Sequence, residues 1–425
     1  MDDRVVITGT GIICALGSSG AEVWKALLRG RSGIRPIESF AAGGFACRKA
    51  AQVHGFAPLG DDVHPRFSRT LDTQFFLMMQ CARDAFSQSG LSSLAMPRDE
   101  IGFFAGMGMF DYKIEDLLPA VIKSRDVHGH IDYDAFYAEG YQEIYPLWPL
   151  SVLNNIAFCQ VAINLDIQGE NSVFSPHADS GVQAIAEGVR TLRDGKAQVV
   201  LAAGVSEKVS PMSLARAHLA GVLNTVAEMD ETPCRPFGAG RKGAILGEGC
   251  GVLTLEPAAS AALRGAPSLA AITGFGFACD IEEESGRPTA QSISISMREA
   301  LAEAGLKASD IDVVIAHGDG TESGDQSESE AIHQVFSDCL NRVVVFSSKG
   351  ALGHLLAAAP VVDAILAVCM LESGMVPATC GGERPDSAMR FHLTRSPVKA
   401  CPRRILINAL SYEGQCASLV VEKPA

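Results

Sequence analysis

The twelve cysteines of this 425-residue chain form no CxxC pair and match no Cys/His spacing of a metal site. The usual zinc frameworks are therefore not expected, and the thiols read as free and mostly buried. No run of about 18 uninterrupted apolar residues occurs, so no membrane span is expected. The opening residues, MDDRVVITGTGI, lack the basic and then apolar regions of a secretory leader. A cytoplasmic protein is the expectation. Positive charge is also short: 35 Lys and Arg stand against 49 Asp and Glu, a formal net charge of −14. Such a field opposes nucleic acid and anionic membranes. The chain shows no short-period repeat and no low-complexity segment. The Gly-rich stretch GEGCGVLTLE at 247–256 lacks the Lys-Ser/Thr of a phosphate loop and runs into a strand pattern rather than a helix.

A composition of 47% hydrophobic and 20% charged residues fits a soluble globular protein. The length allows one large core or two medium ones. Short apolar or β-branched runs predict strands at 5–8, 101–105, 199–203, 251–255, 270–274, 312–315, 343–346, 405–408 and 417–421. Helical spacing predicts helices at 20–30, 73–90, 181–195, 293–305, 325–338 and 355–373. This βα rhythm indicates an α/β fold with buried sheets. An Ala- and Pro-rich stretch, PAASAALRGAPS, divides the chain into halves at 1–257 and 258–425. Residues 106–150, rich in aromatics and weak in pattern, read as an insertion or cap.

Four stretches carry possible chemistry. In SVFSPHADSG, 172–181, a strand-like run meets a sharp polar turn and then a helical pattern. Many enzymes place a nucleophile on such a turn, at a helix N-terminus. Here the central residue is Ala178, which has no reactive atom. In VVIAHGDGTESGDQSESEAI, 313–332, His317 ends a strand, glycines allow close approach, and acidic residues open a helix. In VFSSKGALGHLLAAA, 345–359, Lys349 and His354 lie between a strand and an apolar helix, whose dipole would disfavour a cationic His354. The fourth, INALSYEGQCASLVVE at 407–422, reads strand, loop, strand. Each histidine taken alone is equally a capping or core residue, and Lys349 a surface one.

Together, in order, these stretches resemble the β-ketoacyl-acyl-carrier-protein synthases of the thiolase-like superfamily. RVVITGTGIICALG, RPFGAGRKGAILGEGCGVLTLE, AHGDGTESGD and NALSYEGQCASLV extend the likeness nearly end to end. The resemblance implies a five-layered αβαβα fold of two βαβαβαββ halves, and a dimer through the N-terminal half. It places the acyl-accepting Cys at Ala178 and the two decarboxylating histidines at His317 and His354. It puts the family lysine at Lys349 and its acidic positions at Asp325 and Glu328. Asp319, Thr321, Asn408 and Tyr412 fall where the pantetheine arm and substrate are bound. The departures cluster: Pro176-His177-Ala178 replaces Thr-Ala-Cys, Asp319 replaces a Thr, and Ser411-Tyr412-Glu413-Gly414 replaces Gly-Phe-Gly-Gly. Pro360 stands where a Gly is usual.

The resemblance then leaves several readings. The chain is a chain-length-factor-like pseudo-ketosynthase paired with a Cys-bearing ketosynthase in type II polyketide or fatty acid biosynthesis. Otherwise it is a malonyl-carrier-protein decarboxylase that makes acetyl starters, or a condensing enzyme whose Cys was replaced by design. In the last case His177 or Ser180 would be substitute nucleophiles; Ser180 is read as a cap, and His177 should point away from residue 178. A non-catalytic binding or scaffold protein on the same fold is the remaining class. The implied partners are a second ketosynthase subunit, as heterodimer or homodimer, and an acyl carrier protein. No metal or other cofactor is implied, because the acyl groups arrive on the carrier's phosphopantetheine. An acidic carrier needs basic contacts, for which Arg66, Arg69, Lys123 and Arg125 are the local candidates.

Overall fold

The computed structural model describes residues 4–55, 73–91, 96–109, 111–112, 114–226, 232–283 and 285–424. Arg66 and Arg69 lie outside the described residues. The main sheet has eleven strands: β1 (Val5–Cys14), β2 (Ile101–Met107), β3 (Asn171–Phe174), β4 (Val199–Val205), β5 (Gly249–Pro257), β6 (Ala270–Cys279), β7 (Val313–Ile315), β8 (Val344–Phe346), β9 (His392–Leu393), β10 (Arg404–Leu410) and β11 (Gln415–Glu422). Their spatial order is β9-β8-β7-β10-β11-β6-β1-β5-β4-β2-β3.

That order contains a repeat that no sequence period reveals. Read outward from the centre, β1-β5-β4-β2-β3 and β6-β11-β10-β7-β8 have the same connectivity. In each set the first two pairings are antiparallel and the next two parallel. The halves meet where Val5, Val6 and Ile7 pair antiparallel with Ile272, Ala271 and Ala270. The change from one half to the other falls in the helix Ala258–Leu263 and the residues that follow it.

Two helices, Ala178–Arg193 and Ala359–Ser373, lie between the two halves of the sheet and touch strands of both. Their apolar side chains form the largest core cluster. A second cluster packs Thr73–Ser89 and Asn154–Asn164 on the outer face of the N-terminal half, and a third packs Ala290–Glu303 and Glu322–Phe336 on the outer face of the other. The result is helix, sheet, helix, sheet, helix. Continuous with the second of the central helices, Leu356–Ser373 has a mean hydropathy of 1.8 but is 83% buried, as a core helix of this kind requires.

The predicted helices at 181–195, 293–305 and 325–338 each begin three residues earlier, at Ala178, Ala290 and Glu322. The first turn of each is polar or small and so lies outside the apolar period. Thr289 and Thr321 cap two of these helices by accepting from Ser292 N–H and Gly324 N–H. The strand predicted at 5–8 runs on to Cys14. Gly9 and Gly11 break its apolar pattern, yet they serve close packing: a Cβ at Gly11 would lie 2.0 Å from the Cys81 carbonyl oxygen. The expected insertion at 106–150 is corrected at its start, since Gly106 and Met107 end β2 in the main sheet; from Ile114 onward the segment forms short helices, among them Ile114–Lys123 and Tyr133–Ala138.

The central helices touch at Gly181, where a Cβ would meet the Ala357 oxygen at 2.4 Å and Pro360 Cγ at 2.7 Å. We expect Gly181→Ala to destabilise the protein by about 1–3 kcal/mol through overpacking. Denaturant unfolding checks this, and an unchanged midpoint would show that the interface relaxes freely.

Candidate active site

The site assembles at the ends of β3, β7, β8 and β10. After β3 the chain passes through a cis Ser175–Pro176 bond, and His177, extended at φ −98° and ψ −172°, stands before the helix at Ala178. The Ala178 methyl is fully buried in the central core. Ser180 Oγ donates to the His177 carbonyl at 2.5 Å, which ties its hydroxyl into its own turn. His177 is buried, and neither ring nitrogen has a hydrogen-bond partner. Its Nε2 lies 3.6 Å from Glu413 Oε1.

His317 follows β7, and its Nδ1 accepts from Leu410 N–H at 3.2 Å. His354 Nδ1 accepts from Leu356 N–H at 3.1 Å. An imidazole that accepts at Nδ1 and stays neutral carries its proton on Nε2. Both are held neutral: burial lowers each pKa well below the usual histidine value, with the Lys349 charge as the next cause. For His354 the direction is the expected one, with burial rather than the helix dipole as its largest cause. The residue lies between the short helix Lys349–Leu352 and the 3-10 turn Leu356–Ala358 that leads into Ala359–Ser373. The two rings stand 4.9 Å apart at 78°, and one carbonyl oxygen between them would accept from both Nε2–H groups.

Around this pair the remaining predicted residues separate into ligand-facing and supporting groups. Glu328 accepts from the His317 and Gly318 amides, each at 2.8 Å, and from Asn408 Nδ2 at 2.9 Å. Asn408 Oδ1 in turn accepts from Ser418 Oγ. Asn408 thus braces Glu328, which corrects its assignment to the substrate. Asp325 accepts from the Phe237 and Gly320 amides. Asp319 accepts from the Thr321 amide and hydroxyl, and Thr321 Oγ1 also accepts from Gly324 N–H. These two side chains therefore shape their own loop. Lys349 is 1% exposed, and its Nζ lies 4.0 Å from Asp363 Oδ2.

The loop after β10 closes over the histidines. Ser411 Oγ accepts from the Glu413 and Gln415 amides, and Gly414 takes the left-handed turn at φ +94°. Tyr412 is thereby laid across the site, 5.2 Å from the His177 ring and 5.5 Å from His354. Its hydroxyl is buried without a hydrogen-bond partner. Lys123, a candidate carrier contact, is engaged by Glu143 at 2.9 Å and Glu139 at 3.8 Å; Arg125 is exposed.

Three site residues escaped the sequence reading. Asp363 was signalled by a lone carboxylate inside an otherwise apolar helical run. Glu413 was seen only as a departure, not as a partner for His177. Arg287, buried with its guanidinium 5.2 Å from the Tyr412 ring centre, had no signal at all.

A doubled βαβαβαββ fold with a turn at a buried helix start and two facing histidines defines a thiolase-like protein. Residues 2–261 match the family described as beta-ketoacyl synthase, N-terminal domain, and residues 269–383 its C-terminal domain. The chain belongs to the beta-ketoacyl synthase family. It is 28% identical to the 3-oxoacyl-[acyl-carrier-protein] synthase 2 of Coxiella burnetii, over 99% of this chain and 98% of that protein. It is 30% identical to nodulation protein E of Rhizobium meliloti over the whole of both chains. Among solved structures, the ishigamide ketosynthase/chain length factor superposes with a TM-score of 0.84 at 26% identity, covering 99% of each chain.

Because folding lowers both histidine pKa values, the unfolded chain binds protons that the folded chain excludes. Stability from this source is fully present above about pH 6.5 and is lost as pH falls toward the lower folded values. The buried carboxylates Asp325, Glu328 and Asp363, whose pKa values burial raises, act in the opposite sense. A difference measurement isolates the histidine. His354→Asn keeps an acceptor near Nδ1, and we expect it to remove up to about 1.4 kcal/mol per pH unit of acid slope below pH 6.5. Parallel slopes for the two proteins would refute this.

Proposed function

We propose that this chain is a chain-length-factor-like subunit that pairs with a Cys-bearing ketosynthase in type II polyketide or fatty acid biosynthesis. The observation that carries the reading is Ala178. An acyl thioester needs a thiol at the helix start, and the turn presents a methyl there. Ser180 is tied to its own turn, and neither ring nitrogen of His177 has a hydrogen-bond partner among the described residues. Condensation then needs a nucleophile from a second subunit, as the likeness to a ketosynthase/chain length factor supports.

The surface supports a partner as well. Val127, Tyr133, Tyr137 and Ile163 are exposed by 95, 69, 72 and 68%, in the same half as the edge strand β3. Large exposed apolar groups near the last strand of a sheet are features that association covers. In this reading the pair works in the cytoplasm, receives acyl groups on a carrier protein, and uses no metal or nucleotide cofactor.

A second reading is favoured by the two neutral histidines. They are arranged to stabilise an enolate oxygen, and loss of CO2 from a malonyl thioester needs no thiol. The two readings part in one experiment: malonyl-carrier protein is incubated with the pure chain, and the carrier is followed by intact mass. We expect the malonyl form to persist. Conversion to the acetyl form, abolished in His317→Ala, would make the chain a decarboxylase. For the pairing, native mass of the chain co-expressed with a Cys-bearing ketosynthase of its own pathway should show a heterodimer. Homodimers alone would overturn it.

A further inference from the structure

Arg287 is placed in the site by its own loop. The chain is joined across by the Ile281–Pro288 bridge, and the Glu282 amide donates to the Arg287 carbonyl at 2.8 Å. The side chain turns inward and is 5% exposed. Its guanidinium stacks on Tyr412, the ring that also contacts His177 and His354. Its charge reaches both His317 and His354 and adds to the lowering of their pKa values. Among the described residues it makes no ion pair.

The nearby carboxylates are engaged elsewhere. Asp319 accepts from Thr321, Asp363 from Ser348, Asp179 from Gln183, and Glu413 faces His177. The guanidinium, on a side chain 5% exposed, has no carboxylate partner among the described residues, and its planar fork matches a carboxylate in two hydrogen bonds. Beside it, the buried His354 Nε2 and Tyr412 hydroxyl make no hydrogen bond within the chain.

We propose that Arg287 is the carboxylate receptor of this site, and that with His317 and His354 it binds a malonyl-type thioester: carboxylate on the guanidinium, carbonyl oxygen on the imidazoles. This inference rests on the site geometry and not on the pairing with a second subunit. It also accounts for the retained histidines beside an absent thiol. A guanidinium that binds the carboxylate stabilises the ground state, so it raises the barrier to loss of CO2 rather than lowering it. The site then selects a carboxylated thioester and keeps it intact.

The test is calorimetric binding to the full chain of three stable probes: malonyl-pantetheine and acetyl-pantetheine, each with an amide in place of the thioester, and malonate. Malonyl-pantetheine should bind at least tenfold more tightly than the acetyl probe and than malonate. Arg287→Met should erase the preference over acetyl; Arg287→Lys, which keeps the charge but loses the fork, should retain part of it. Thermal melts of both variants check folding, and Arg287→Lys keeps the comparison open if the Met variant does not fold. Equal affinities in the unaltered chain, no binding of any probe, or a preference that survives in a folded Arg287 variant at full strength would overturn the proposal. Malonate binding as tightly as malonyl-pantetheine would overturn its thioester part. None of these outcomes depends on whether a heterodimer forms.

Discussion

The site depends on one buried carboxylate. Glu328 gathers the amides of His317 and Gly318 and the side chain of Asn408 onto its two oxygens. That joins the loop after β7, the helix Glu322–Phe336 and strand β10 at a single point. It also fixes the backbone at His317, so that Leu410 N–H meets Nδ1 and the ring faces His354. Removing this carboxylate leaves buried donors without a partner, each at a cost of about 1–3 kcal/mol. Glu328 therefore acts on chemistry through position alone.

Around that hub the electrostatics are set by burial. His317 and His354 are neutral because burial disfavours their charged forms, and Lys349 and Arg287 reinforce the effect. Both cations are themselves buried. Lys349 has Asp363 at 4.0 Å, while Arg287 has the face of Tyr412. A cation over an aromatic ring gains far less than it would from a carboxylate at hydrogen-bond distance. The positive side of the site is thus the Arg287 side, and the donors of the two histidines lie next to it. This arrangement favours a ligand with an anionic end and a carbonyl.

Much of the fold was legible because its signals are local. The long strands were marked by apolar runs and six helices by periodicity, but Ile114–Lys123, Asn154–Asn164 and Pro211–Leu219 were not; the connectivity came from the resemblance. The errors have local causes too. Capped first turns are polar, so helices were begun three residues late at Ala290 and Glu322. Gly9 and Gly11 looked like the end of a strand, yet they are where the helix Thr73–Ser89 comes closest to it. The site was legible only in part. His317, His354 and Lys349 sit in motifs whose spacing is set by strand ends. The bracing role of Asn408 arises from residues far apart in sequence, about 80 positions between Asn408 and Glu328, and the contact of Arg287 with Tyr412 joins two distant loops. No pattern along the chain carries that information.

The empty turn has a physical explanation that does not require it to be a relic. What shapes it is the packing beneath: Gly181 against Pro360 and Ala357, the extended His177, and the Ser180 hydroxyl on the His177 carbonyl. None of these involves a thiol. Alanine at 178 leaves the helix start and the central core as they are, and it removes only the acyl acceptor. Two substitutions beside it are coupled in space. By the resemblance His177 stands for a small residue and Glu413 for a glycine, and the two lie 3.6 Å apart. Tyr412, between them in the loop, is held over the histidines. A site altered only by loss of its nucleophile would show one change. Beside the methyl at 178, this one has a His177–Glu413 contact and an arginine whose guanidinium lies over the ring of Tyr412. That concentration of change around a preserved histidine pair is what a site with a different ligand, rather than an unused one, would look like.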